Sequence, residues 1–188
     1  MIKRTKYHII RVVLAAISFS SLYTLGQDLG LQWDPRIKRA GNILQKEALA
    51  EALEPYLDRL KSFFNRVNYY SPEVSESYTS NLKIEGGNPH PTEALIKGYT
   101  GSIEINGKPE RVFLIDTITV NKEFQHKGIA TIFLQAVSDP KVAAILNYDF
   151  VFGPGASANS QGLYKARGFT PIIQDGRQRW IKKIESEP

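Results

Sequence analysis

The chain has 188 residues, 42% of them hydrophobic and 23% charged, a length for one domain with an appendage and a composition that excludes a disordered protein. It has no cysteine and three histidines, His8, His90 and His126, which excludes a disulfide framework, a thiolate zinc site and a cysteine nucleophile. No metal is expected either, because no two histidines have the spacing of ligands on one helical face. Residues 1–46 hold eight cations against two anions, so the net charge of +5 lies at the N-terminus and the remainder balances at −1; this points away from nucleic acid as a partner and toward a membrane surface.

After Lys3, Arg4 and Lys6 the stretch Ile9 to Leu25 reads IIRVVLAAISFSSLYTL and stops at Gly26. Its uncharged part, Val12 to Gly26, falls short of the ~20 residues a membrane helix needs, although Arg11 can snorkel and bring Ile9 and Ile10 into apolar contact. Three readings stay open: an uncleaved anchor or interfacial helix, a buried element of the domain, and a secretory signal without a clear cleavage site. The organisation expected is therefore a basic hydrophobic segment over 1–26, a linker over 27–41 rich in turn-formers and charge, and a domain over 42–188.

From Asn42 the residues Leu49, Leu53, Leu57, Leu60, Phe64 and Val67 recur every three or four positions, which predicts an amphipathic helical region. Pro55 lacks an amide hydrogen and crowds the preceding turn, so two short helices are expected there. Asn68 to Thr79 reads as a loop, and Asn81 to Glu85 as a short strand ended by Gly86 and Gly87. Ala94 to Ile105 and Arg111 to Val120 read as a hairpin turning on Asn106, Gly107, Lys108 and Pro109. Strict alternation in its second strand sets Phe113, Ile115, Thr117 and Thr119 on one face and Leu114, Asp116, Ile118 and Val120 on the other, leaving Asp116 a lone carboxylate among aliphatic side chains.

From Val120 the chain reads VNKEFQHKGIATIFLQAV, a strand end, a polar loop, a glycine and then a helical stripe of Ile129, Ile132, Phe133, Ala136 and Val137. A helix entered through glycine is suited to anions. Its first amides have no intrahelical acceptor and the helix dipole puts partial positive charge there, so a pyrophosphate can dock on backbone alone. Gly128 allows close approach and Lys127 adds charge.

Gln125, His126, Lys127, Gly128, Ile129 and Ala130 match in full the acyl-CoA loop Q/R-x-x-G-x-G/A of the GNAT superfamily, and Val120 precedes Gly128 by the family's eight positions. The later segment SANSQGLYKARGF resembles the family's second motif, with Leu163, Tyr164, Gly168 and Phe169 on its positions. Gly168 also suits a left-handed helix C-cap, and Phe169 opens an apolar run with Pro171, Ile172 and Ile173. The resemblance covers Ala94 to Ile184. It departs at Ser157, where the family commonly has asparagine, and in the short helix that reaches only Ser138, Asp139 and Pro140 before Val142 to Phe152, read as the strand beside the donor.

The resemblance implies an α/β (α+β) fold, a mixed, mostly antiparallel central sheet flanked by helices, and transfer of an acetyl group from acetyl-CoA to a primary amine of a small molecule or protein. It implies that the amide of Val120 and the carbonyl of Ile118 hold the thioester and pantetheine arm, that the loop Gln125 to Ala130 holds the pyrophosphate, and that Ser157 stands at a donor contact. Tyr164 is then the general acid, against the alternative of a buried tyrosine satisfied by a backbone carbonyl. Asp116 is the candidate base, directly or through water, against a solvated strand aspartate. His126 reads as a phosphate neighbour. Arg177 and Arg179 read as an acidic-substrate lure or as ordinary edge charges. The competing class is a non-catalytic acyl-CoA-binding or protein-interaction module tethered at a membrane. A donor of cytosolic origin implies a cytoplasmic domain, membrane-associated through residues 1–26 in the anchored case.

Overall fold

The computed structural model describes residues 35–70, 81–88, 93–153, 155, 158–174 and 176–185. The N-terminal apolar run, the first part of the expected linker and Ser157 lie outside them. The chain divides into two compact units, Met1–Ala52 and Leu53–Pro188. All that is described of the first is the greater part of one helix, and the second carries the sheet.

That helix, α1, runs without a break from Pro35 to Lys61. Two expectations are corrected by it. It begins inside the segment read as a linker, because Pro35 at the first helical position sacrifices an amide that has no intrahelical partner there. It also passes through Pro55. Losing one hydrogen bond to the carbonyl of Glu51 is offset by burial of Leu53 and Leu60, both 0% exposed, each contributing about 2 kcal/mol.

Seven strands form one sheet, β1 (Arg66–Tyr70), β2 (Asn81–Gly87), β3 (Ala94–Ile105), β4 (Lys108–Val120), β5 (Phe150–Gly153), β6 (Thr170–Gln174) and β7 (Arg177–Lys183). Their order is β1-β2-β3-β4-β5-β7-β6, antiparallel except for the parallel step from β4 to β5. Helices α2 (Ile129–Ala136), α3 (Pro140–Leu146) and α4 (Ala158–Ala166) fill the connections around β5. The expected mixed, mostly antiparallel sheet flanked by helices is the observed one.

The β3–β4 hairpin turns on Asn106 and Gly107, whose φ angles of 53° and 76° give the mirror-image turn that matches the twist of the flanking strands. Asn68 to Tyr70, read as loop, belong to β1, an edge strand with alternating exposure and two tyrosines suited to a pleated surface. Val142 to Leu146, read as strand, is helical. Asp139 accepts from the amides of Lys141 and Val142, Pro140 takes the first turn, and Asn147 ends the helix in the left-handed region; these are start and stop signals that override a short apolar run.

Strict alternation in β4 is also corrected. The β3–β4 register steps from Lys97↔Thr117 to Gly98↔Ile115, leaving Asp116 as an extra residue in a β-bulge. The bulge reverses the phase. Phe113 and Ile115 therefore share a face with Ile118 and Val120, opposite Thr100, Gly98, Ile96 and Ala94, all four of them buried. Against this face packs α2, whose stripe of Ile129, Ile132, Phe133 and Ala136, followed by Val137, is buried as expected. Among the described residues no single helix is long and apolar enough to cross a membrane, and α2 with α3 reaches that length only as a pair bent by 53°.

Candidate active site

The short β5 leaves part of β4 without a strand partner. β5 pairs with β4 only from Val112 to Leu114, so among the described residues the β4 edge facing β5 carries no strand partner beyond Leu114. At the far end Asn121 donates to the carbonyl of Glu93 across 2.8 Å, continuing the β3 ladder. Successive residues turn their amide and carbonyl to opposite edges, so those of Ile118 and Val120 turn to the open edge. An extended thioester arm can add there as a short strand.

At the end of this edge a 3₁₀ turn, Lys122–Phe124, leads into the loop. Gln125 donates its side-chain amide to the carbonyl of Val120 at 3.0 Å. His126 has φ of 63°, uncommon for a non-glycine residue and indicative of a constrained loop. Gly128 sits at the N-cap of α2 with φ of 84° and no side-chain cap. A Cβ built there meets nothing within 4 Å, so among the described residues the space beside Gly128 at the head of α2 is open. Lys127 rests 4.9 Å above the ring of Phe124, which leaves its ammonium at the exposed loop. The structure thus brings Ile118, Val120 and the six loop residues together along one edge.

Tyr164 lies on α4, 4% exposed, and its approach is set by a glycine. A Cβ on Gly153, the last residue of β5, would lie 2.8 Å from Cε1 of Tyr164 and 3.1 Å from its hydroxyl. The phenol therefore rests on the backbone at the point where β5 stops. Burial pushes its pKa up to about 12, so at neutral pH it holds its proton and is available as an acid. Helix α4 ends as expected, with Gly168 at φ of 78° and the amide of Phe169 returning to the carbonyl of Tyr164 at 3.1 Å.

Asp116 is placed differently from the other candidates. Its side chain is 45% exposed, pairs with Lys97 at 3.3 Å and accepts from the hydroxyl of Thr117 at 3.2 Å. It lies four positions before Val120, in the bulge itself, and it is this engagement by Lys97 that sets it apart from the other candidates. Arg177 and Arg179 belong to β7, with Arg177 exposed and Arg179 half-buried. Among the described residues no group of three or more histidine, aspartate or glutamate side chains could hold a metal. Gly153 and Trp180, which contact Tyr164, were missed by sequence reasoning because they reach it only through β5 and β7 in the folded sheet.

No protein-family model matches the chain, and no curated protein matches it in sequence. Solved structures resemble it in fold. An acetyltransferase of the GNAT family from Staphylococcus aureus Mu50 is 12% identical over 98% of this chain and 96% of its own, with a TM-score of 0.42. AtaT complexed with acetyl-methionyl-tRNAfMet is 14% identical over 73% of this chain and 82% of its own, with a TM-score of 0.46. The KacTA–DNA complex gives 13% identity over 73% and 80%, with a TM-score of 0.47. The mixed, mostly antiparallel sheet flanked by helices and the glycine at the head of α2 are the fold that the GNAT resemblance implies.

Proposed function

We propose that the protein is an N-acyltransferase that moves the acetyl group of acetyl-CoA to a primary amine. One arrangement carries this reading: the unpaired edge of β4 at Ile118 and Val120 begins beside an open helix N-terminus at Gly128 and faces the strand on whose end a buried phenol rests. The pyrophosphate docks on the first amides of α2, and the pantetheine arm extends along β4. A neutral amine attacks the thioester carbon, forming the C–N bond while the carbonyl oxygen becomes an oxyanion at the amide of Val120. Collapse breaks the C–S bond, and the departing thiolate takes the proton of Tyr164. The amine loses its proton to solvent, and the Tyr164 phenolate regains one from solvent before the next turnover.

The acceptor proposed is an amine of a small molecule or a protein and not a nucleic acid, because the cationic excess lies in the first 46 residues; the tRNA and DNA named above belong to those neighbours. The domain is placed on the cytoplasmic side, where the donor is supplied, with membrane contact through residues 1–26. A second reading, an acyl-CoA-binding module without turnover, draws on the engagement of Asp116 by Lys97.

Calorimetric titration of the full chain with acetyl-CoA and with CoA tests the donor site. Gly128→Asp is expected to weaken both at least tenfold by opposing the phosphates, while Gly128→Asn, which tolerates the left-handed backbone, stays within a few-fold. A folded chain that binds neither, or binds equally in Gly128→Asp, ends the proposal. Turnover with a panel of amines, lost in Tyr164→Phe, separates the enzyme from the module.

A further inference from the structure

The ring of Tyr164 is held between Trp180 of β7, Gly153 of β5 and Phe169 just ahead of β6. The indole of Trp180 stacks on its ring, with centroids 5.7 Å apart and planes 11° from parallel. Phe169, just ahead of β6, meets the ring edge-on at 5.1 Å and 77°. Gly153 forms the floor beneath its hydroxyl. Trp180 and Gly153 are direct partners in the β5–β7 register, so floor and platform form one rigid unit. Trp180 is 0% exposed, yet among the described residues its indole Nε1 has no hydrogen-bond partner. A buried donor left unpaired costs stability, so ring-face contact fixes this indole, not its N–H. The broad surface of tryptophan fills the space beside the phenol.

We propose that Trp180 and Gly153 are positioning residues that fix the Tyr164 hydroxyl over the end of β5, where the β4 edge opens. This rests on the acyltransferase reading, in which Tyr164 protonates the leaving thiolate. Proton transfer needs the phenol within hydrogen-bond reach of sulfur, and a displacement of about 1 Å at such a site costs on the order of 100-fold in rate. The stack on Trp180 restrains the ring sideways. Gly153 sets its depth, since a single methyl there would push directly on Cε1 and the hydroxyl.

The test compares Trp180→Leu, Trp180→Phe and Gly153→Ala, each alone and combined with Tyr164→Phe, in the full chain. Calorimetry gives the affinity for acetyl-CoA, and thiol release gives turnover with an amine or, lacking one, with water. Difference absorbance against Tyr164→Phe follows ionisation of this one phenol. Trp180→Leu and Gly153→Ala are expected to lower kcat tenfold or more, leave acetyl-CoA affinity within threefold, and add nothing in the Tyr164→Phe background. Trp180→Phe recovers most of the rate, and in Trp180→Leu the phenol ionises closer to the ordinary value near 10. Unchanged kcat in Gly153→Ala, or equal losses with and without the Tyr164 hydroxyl, overturns the proposal. Should Trp180→Leu fail to fold, Gly153→Ala and Trp180→Phe decide it. Should Tyr164→Phe itself leave turnover intact or no donor bind, the acyltransferase reading fails, and an unmoved phenol ionisation in Trp180→Leu and Trp180→Phe would separately refute the positioning.

Discussion

The side-chain amide of Gln125 donates to the carbonyl of Val120 across 3.0 Å, joining the first residue of the glycine loop to the last residue of β4. Because the Val120 carbonyl turns to the open edge, this bond caps the edge where strand pairing with β5 is absent. It also fixes the distance between the amides at the head of α2 and the Ile118–Val120 edge. The two halves of the proposed donor site are therefore spaced by one hydrogen bond between side chain and backbone.

Gln125→Leu keeps the size of the side chain and removes the donor. A hydrogen bond of this kind contributes about 1 kcal/mol net, so its loss should lower the unfolding free energy by no more than about 1 kcal/mol and, by freeing the loop, weaken CoA and acetyl-CoA alike roughly fivefold. Isothermal calorimetry with free CoA is the cleaner measurement, since no acetyl group is involved. Equal affinity in the variant would mean that the loop holds its position without Gln125.

For Asp116 the expectation from geometry is a small effect. Its carboxylate is half-exposed and paired with the equally exposed Lys97, an ion pair worth about 0.5 kcal/mol. Asp116→Asn should leave kcat within about threefold and the unfolding free energy within about 1 kcal/mol. A loss of kcat approaching 100-fold, with an altered acid limb in the pH profile, would restore Asp116 as a base acting through water.

Local chemistry made the hairpin, α2 and the loop legible in the sequence. Asn106 and Gly107 accept positive φ, the stripe from Ile129 to Val137 has helical spacing, and Gly128 and Gly168 mark a helix start and end. The bulge was not legible, because it depends on contact across strands. Gly98 sits where a Cβ would fall 2.5 Å from the carbonyl oxygen of Leu114 and from the ring of Phe113, and the sequence shows the glycine without the two-for-one register around it. Val142 to Leu146 is too short for periodicity to separate helix from strand, so Asp139 and Pro140 carried the decisive signal. The surroundings of Tyr164 arise from β5, β6 and β7 meeting in the order of the sheet, which adjacency along the chain does not reveal.

Asp139 has two duties whose removal should be visible. Its carboxylate caps α3 through the amides of Lys141 at 2.7 Å and Val142 at 3.4 Å, and it accepts from the hydroxyl of Tyr56 on α1 at 2.5 Å. A lost cap costs about 1 kcal/mol and a lost bond to a charged acceptor about 2 kcal/mol. Urea unfolding of Asp139→Ala should show a deficit of about 3 kcal/mol at pH 7, with Asp139→Asn retaining most of the cap. A deficit under about 1 kcal/mol in Asp139→Ala would show that water replaces both partners.

Buried tyrosines should make the fold sensitive to alkali. Burial raises the pKa of Tyr164 to about 12. It raises that of Tyr148 well above the ordinary range, with Asp139 and Tyr56 reinforcing the shift, while the Tyr148 hydroxyl donates to the carbonyl of Val137 at 2.8 Å. In the unfolded chain both phenols ionise near 10. Between pH 10 and 12 the unfolded state therefore holds fewer protons than the folded one, and stability falls as pH rises, by about 1.4 kcal/mol per pH unit for each such tyrosine. Below pH 10 both states are protonated and this contribution is complete and constant. Urea midpoints measured from pH 9 to 11.5 should decline through this window, and in Tyr164→Phe the decline should be shallower by one proton's worth. Parallel declines in the two proteins would mean that the Tyr164 phenol ionises in the folded state as readily as in the unfolded chain, and would remove the basis for treating it as a proton donor held apart from solvent.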